Sequence, residues 1–292
     1  MTEPETAARA GVGSAARIAW QPAQPAFWVM LVCLLCCAPL QLLAFADQGL
    51  SVETVGFVAL VGASQLAIFW LLARALSRGR SRPIALRLLA LAWGFAVVPV
   101  IALLANSHYF GALNSLGLRS LAASIAAPLD EDLLRLVGVL GVLILAARDR
   151  ISAVDGVVYG LLVGAGFEVA ENLIYVLDAE GLDSAMRIAL IRFGIGFGLH
   201  ALWTGIAGAA LSACLGRRQR GGRGGWWLIL PGIGVPMLLH ALWDAPALSV
   251  DPRAKVAVLV AVYAVTLACF IATVVLARRS ERSCRVSGAA AG

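Results

Sequence analysis

Ala127-Pro128-Leu129-Asp130-Glu131-Asp132-Leu133-Leu134-Arg135 packs four ionisable residues into a run that is otherwise almost wholly apolar from Leu121 to Ala147. If this were the water-exposed start of a helix, Leu121 to Pro128 would be stranded as an apolar loop. If it is a membrane-crossing helix, the charges must face protein or a wet cavity. A charged side chain near the bilayer centre costs about 2.5–3.5 kcal/mol even on the mildest scale. Three further apolar stretches show the same pattern: Gly166 to Tyr175, Arg192 to His200, and His240-Ala241-Leu242-Trp243-Asp244. Together they describe a polar seam inside a bundle of hydrophobic helices.

The composition agrees. The chain has 292 residues, 61% hydrophobic and 14% charged, with a mean hydropathy of +0.87. Its apolar runs are about 20 residues long, the length that crosses a hydrocarbon core of about 30 Å. The short alternating segments of a membrane β-barrel do not occur. The fold class is therefore all-α, a polytopic transmembrane bundle. The net charge of +6 fits the bias of basic residues toward the cytoplasmic side. No aromatic-plus-basic module suggests a nucleic-acid partner. Five of the six cysteines lie in apolar runs, and Cys33-x-x-Cys36-Cys37 falls in the middle of a first span, where packing is the expected role.

Eight spans are expected, over residues 26–46, 55–76, 84–105, 121–147, 154–177, 185–214, 226–245 and 256–277. Basic residues alternate with them. Arg78, Arg80 and Arg82 fill the second connection, Arg148 and Arg150 the fourth, and Arg217, Arg218, Arg220 and Arg223 the sixth. This places both termini in the cytoplasm. Residues 1–25 are expected to be a disordered cytoplasmic tail, 26–277 one membrane domain with its motifs in 121–245, and 278–292 a basic cytoplasmic tail. The first three spans, with almost no ionisable residues, are expected to be scaffold. The protein is expected to be multi-pass in a bacterial cytoplasmic membrane.

Counted from the outer face, Glu131 lies roughly 15 Å deep, Glu168 roughly 14, Glu171 roughly 9 and His240 roughly 8. His200, roughly 22 Å into a single long sixth span, fits this band least well. Helical spacing places His240 with Asp244, Glu131 with Arg135, and Glu168 with Glu171, Asn172 and Tyr175 on shared faces. Pro128 frees backbone carbonyls one turn before Glu131. Gly160, Gly164 and Gly166, with Gly194, Gly196, Gly198, Gly205 and Gly208, permit close helix approach.

Two histidines, several carboxylates and an asparagine at one depth can take a proton from water, hold a metal ion or stabilise an oxyanion. Gly-x-Ser-x-Gly, His-Glu-x-x-His and the P-loop are absent from the sequence. Two other classes remain open. One is a silent scaffold that binds a membrane protein through the same seam. The other is a proton or cation transporter, which inverted repeats would support; none is found.

The run Gly156-Val157-Val158-Tyr159-Gly160 through Gly166-Phe167-Glu168-Val169-Ala170-Glu171-Asn172-Leu173-Ile174-Tyr175 resembles the PrsW family of intramembrane proteases. The family pattern is Pro-x-x-Glu-Glu-x-x-Lys, then Gly-Phe-x-x-x-Glu-Asn-x-x-Tyr, then Arg and His in one span, then His near Trp-Asp. Here it is met by Pro128, Glu131, Asp132 and Arg135; by Gly166 to Tyr175; by Arg192 and His200; and by His240, Trp243 and Asp244. The resemblance covers about residues 121–245. It implies a membrane-anchored protein substrate, such as an anti-sigma factor receiving its first cut. It also implies catalytic roles for Glu131, Asp132, Glu171, His200, His240 and Asp244. Pro128, Arg135, Glu168, Asn172, Tyr175 and Arg192 would support them. His200, His240 and Glu171 are the candidate metal ligands. Zinc and no metal at all are the two cofactor alternatives, because relatives in the wider superfamily are explained without an essential metal. Two departures are Asp132 for the second glutamate and Arg135 for lysine, which keeps the charge but not the geometry. The resemblance leaves the oligomeric state open.

Overall fold

The computed structural model describes residues 20–46, 52–78, 82–147, 151–222, 225–245 and 251–289. Most of the expected N-terminal tail, together with Arg80, Arg148, Arg150 and Arg223, lies outside the described residues. Gln21, at the end of that tail, is buried and donates to the Leu145 carbonyl at 2.8 Å.

The described residues form helices and no strand. They are α1 (Pro25–Ala46), α2 (Val52–Leu76), α3 (Ile84–Ala92), α4 (Val98–Ser115), α5 (Ala122–Ala146), α6 (Ala153–Leu177), α7 (Leu182–Ile195), α8 (Leu199–Gln219), α9 (Ile229–Trp243) and α10 (Pro252–Ala289). Among the described residues, seven helical segments are long and apolar enough to cross a bilayer. An eighth, α5, has 25 residues and the length to cross, about 37 Å. Its four buried charges set it apart from the others. The protein is an all-α, multi-pass membrane protein.

α6 is the central pillar, with nearly every residue buried against its neighbours. Between helices in lipid there is little hydrophobic driving force, so close van der Waals contact must hold them. The glycines of α6 supply it. A Cβ on Gly156 would lie 2.0 Å from the Gly208 carbonyl oxygen, one on Gly160 2.2 Å from that of Thr204, and one on Gly164 2.3 Å from that of His200. Backbone therefore meets backbone along the whole α6–α8 seam. α3 and α4 form one bent segment, joined by a π-helical turn at Trp93–Val97 just before Pro99, which has no N–H to donate. Trp93 donates to the Leu134 carbonyl of α5 at 3.0 Å.

The expected single helix over 185–214 is corrected. The chain breaks at Gly196-Phe197-Gly198 into α7 and α8, with Gly198 at φ 86°. Irregular backbone at membrane depth must find partners within the protein. Here Glu168 Oε1 accepts from the Gly198 N–H at 2.6 Å, and the Tyr263 hydroxyl donates to the Phe197 carbonyl at 2.8 Å.

At the arginine-rich ends, Arg82 makes a two-pronged contact with Asp155, at 2.9 and 2.7 Å. Asp155 and Ser152 also form the capping box that starts α6. Ser152 reaches Glu281 of α10 at 2.6 Å.

Candidate active site

Opposite the arginine-rich ends, five helices bring their polar residues together. α5 contributes Glu131, Asp132 and Arg135, α6 Glu171, Asn172 and Tyr175, α7 Arg192, α8 His200, and α9 His240 with Asp244 just past its end. The helix break explains how His200 joins them. Rather than sitting deep in a long span, it is the second residue of α8, in that helix's first turn.

The two imidazoles lie with ring centroids 5.0 Å apart, nearly perpendicular. Arg135, fully buried between them, donates to Asp132 and to His200 Nδ1. A guanidinium can only donate, so His200 Nδ1 accepts and Nε2 carries the ring proton. That Nε2 faces Glu171 Oε2 at 3.1 Å. Glu171 is in turn held by Arg192 Nη2 at 2.6 Å, while Arg192 Nε donates to the Asn172 side-chain oxygen. The Arg192 guanidinium also lies over the Tyr175 ring at 4.1 Å. On the other histidine, Nδ1 lies 3.2 Å from Asp132 Oδ2, and Nε2 lies 3.3 Å from Asp244 Oδ2 and 3.7 Å from Glu131 Oε2.

The shorter acid at position 132 thus still reaches both Arg135 and His240. Glu168 stands apart from this cluster and serves the α7–α8 break. Pro128 is buried one turn before Glu131 within a continuous α5.

Three residues of the site carried no signal strong enough to find in the sequence. Gln65 of α2 is buried and accepts from Asn172 Nδ2 at 3.4 Å, so that span is more than scaffold. An amide in mid-span was the only hint. Trp203, one turn after His200, stacks on His240 at 4.9 Å and donates to Thr266 of α10 at 2.9 Å. In the sequence, Trp203 and Thr266 look like ordinary span residues.

Among the described residues, Glu131, His200 and His240 form the group whose ligand atoms all lie within 4.8 Å of one another. Glu131 completes this set by distance, while the expected Glu171 faces His200 Nε2 at 3.1 Å and is held by Arg192. Glu131 Oε2 is buried without a hydrogen-bond partner. The spacing fits one metal ion, and Asp132 stands behind His240 Nδ1 as carboxylates do behind metal-bound histidines. The hydrogen bonding of His200 does not fit, since with Arg135 on Nδ1 the ring offers a donor at Nε2 instead of a lone pair.

The site is closely packed, and the void beside Asp132 and Trp203 measures about 10 Å³. Glu171, Arg192 and Asp244 are each about a quarter exposed and mark the side from which it is approached.

Neither a curated protein nor a solved structure matches the chain. Residues 82–275, about two thirds of its length and every helix of the site but the one bearing Gln65, match the model of the PrsW family of intramembrane metalloproteases. The chain belongs to that family.

Proposed function

We propose that the protein is an endopeptidase that cuts a membrane-anchored protein close to the outer face of a bacterial cytoplasmic membrane. Glu131 is its general base. The observation that carries this reading is the buried Glu131 Oε2, which has no hydrogen-bond partner and faces His240 Nε2 at 3.7 Å. Glu131 takes a proton from water as the water oxygen attacks the scissile carbonyl. The His200 Nε2–H, shared with Glu171, donates to the oxygen that gains charge. Glu131 then hands the proton to the leaving amine as the C–N bond breaks. Glu171 and Arg192 hold His200 in place. Asp132, Asp244 and the Trp203 ring hold His240.

A second reading rests on the spacing of Glu131, His200 and His240. A zinc ion held there would polarise the carbonyl and acidify water, provided Arg135 released His200. A single-span anti-sigma factor is the proposed substrate class. Reconstitution in liposomes with single-span candidates tests the reading. Glu131→Gln keeps the shape but cannot take the proton, and should lower cleavage by about 10²-fold or more at equal protein level. Full activity in that variant would rule out Glu131 as the base, and no cleavage by the wild type would favour the scaffold reading.

A further inference from the structure

A cavity of about 860 Å³ lies at the arginine-rich end of the bundle, away from the active site, between α8, α9 and α10. Its walls are Ile206, Ala210 and Ala213 of α8, Val235 of α9, and Ala272 and Leu276 of α10. Arg217 and Arg220 stand at its rim, both exposed, and among the described residues neither forms an ion pair. The rim carboxylate, Glu281, is hydrogen-bonded to Ser152. Toward the active site the three helices close, because Leu199, Trp203, Leu239 and Val262 pack together there.

We propose that this cavity is a binding site for an anionic phospholipid of the cytoplasmic leaflet, with its acyl chains between the helices and its phosphate on Arg217 and Arg220. The depth decides the occupant. From Ile206 to Arg217 α8 advances about 17 Å, which is one leaflet of a hydrocarbon core of about 30 Å. A spanning helix of a partner protein would need the full thickness, and the packed outer half denies it. A lipid chain needs one leaflet only. The charge agrees, since basic pockets between membrane helices on the cytoplasmic side suit anionic headgroups. α9 forms one wall of the cavity and carries His240 at its far end, so the lipid also braces a helix of the active site.

The test uses the full-length protein purified in mild detergent and exchanged into mixed nanodiscs of phosphatidylglycerol and phosphatidylcholine. Bound lipid is read by native mass spectrometry. Wild type should retain phosphatidylglycerol in preference to phosphatidylcholine. Arg217→Ala and Arg220→Ala should each weaken that preference on the order of fivefold. Ala213→Trp, which places a large ring in the wall of the cavity and leaves the arginines in place, should obstruct the acyl chains and sharply lower the retained lipid. Retention of both lipids in proportion to their abundance, or an unchanged preference in the double arginine variant, would overturn the proposal. So would displacement of the lipid by a single-span peptide or by a second copy of this chain. An Ala213→Trp protein that runs as a folded monomer and keeps its lipid would overturn it too.

Discussion

Glu168 on α6 accepts the N–H of Gly198 at 2.6 Å, and so supplies from a neighbouring helix the cap that α8 lacks in its own sequence. The contact holds the broken span at the point from which His200 enters the site. A carboxylate at a helix N-terminus is also favoured by the helix dipole.

Glu168→Ala leaves the Gly198 N–H buried and unpaired, which costs about 1–3 kcal/mol. The expected result is a lower melting temperature in detergent and reduced cleavage. Glu168→Gln keeps an acceptor oxygen and should recover most of both. Equal loss in the two variants would show that the negative charge matters, not the hydrogen bond.

Gly164→Ala tests the α6–α8 seam at the same height. Its Cβ would fall 2.3 Å from the His200 carbonyl oxygen and 2.7 Å from the Ala201 Cα, both backbone atoms that cannot swing aside. Overpacking of this kind costs about 1–3 kcal/mol. A displacement of His200 by about 1 Å lowers turnover by roughly 10²-fold. Cleavage should therefore fall further than stability, as measured on equal amounts of folded protein. Gly111→Ala, with open space around the glycine, is the matched control and should change neither.

Asp132 and Arg135 form a buried pair, with side chains 8% and 0% exposed. Removing one partner of such a pair strands the other charge and costs about 3–5 kcal/mol. Asp132→Ala should be poorly folded in a thermal assay. Asp132→Asn, which keeps an acceptor for His240 but loses the charge, should fold better than Asp132→Ala and cleave more slowly than wild type. Wild-type stability in Asp132→Ala would contradict the pairing.

Chelation separates the two mechanisms. With Arg135 on His200 Nδ1, cleavage should survive exhaustive chelator treatment, and elemental analysis should find no stoichiometric zinc. Loss of cleavage on chelation, restored by zinc and absent in His240→Ala, would instead establish the metal reading.

The sequence by itself determined that the chain is a bundle of membrane-crossing helices. Runs of about 20 apolar residues have few other outcomes in water or lipid. It also determined which polar residues must turn inward, because an unpaired carboxylate such as Glu131 or Glu171 cannot face hydrocarbon. The glycine spacing of α6 was legible for the same kind of reason, since a missing side chain in lipid signals a close neighbour.

Partnership within the seam was decided only in three dimensions. Helical spacing paired Glu131 with Arg135, yet Arg135 turns to Asp132 and His200, while Glu131 faces His240. Spacing along one helix says nothing of what the facing helix presents. The break before His200 was hidden because Gly196 and Gly198 also suit a continuous span. Among the described residues, Glu168 and Tyr263, from α6 and α10, supply the side-chain hydrogen bonds that let the backbone leave the helix inside the membrane. The roles of Gln65, Trp203 and Thr266 have the same origin, since each is fixed by a contact with a residue far away in the chain.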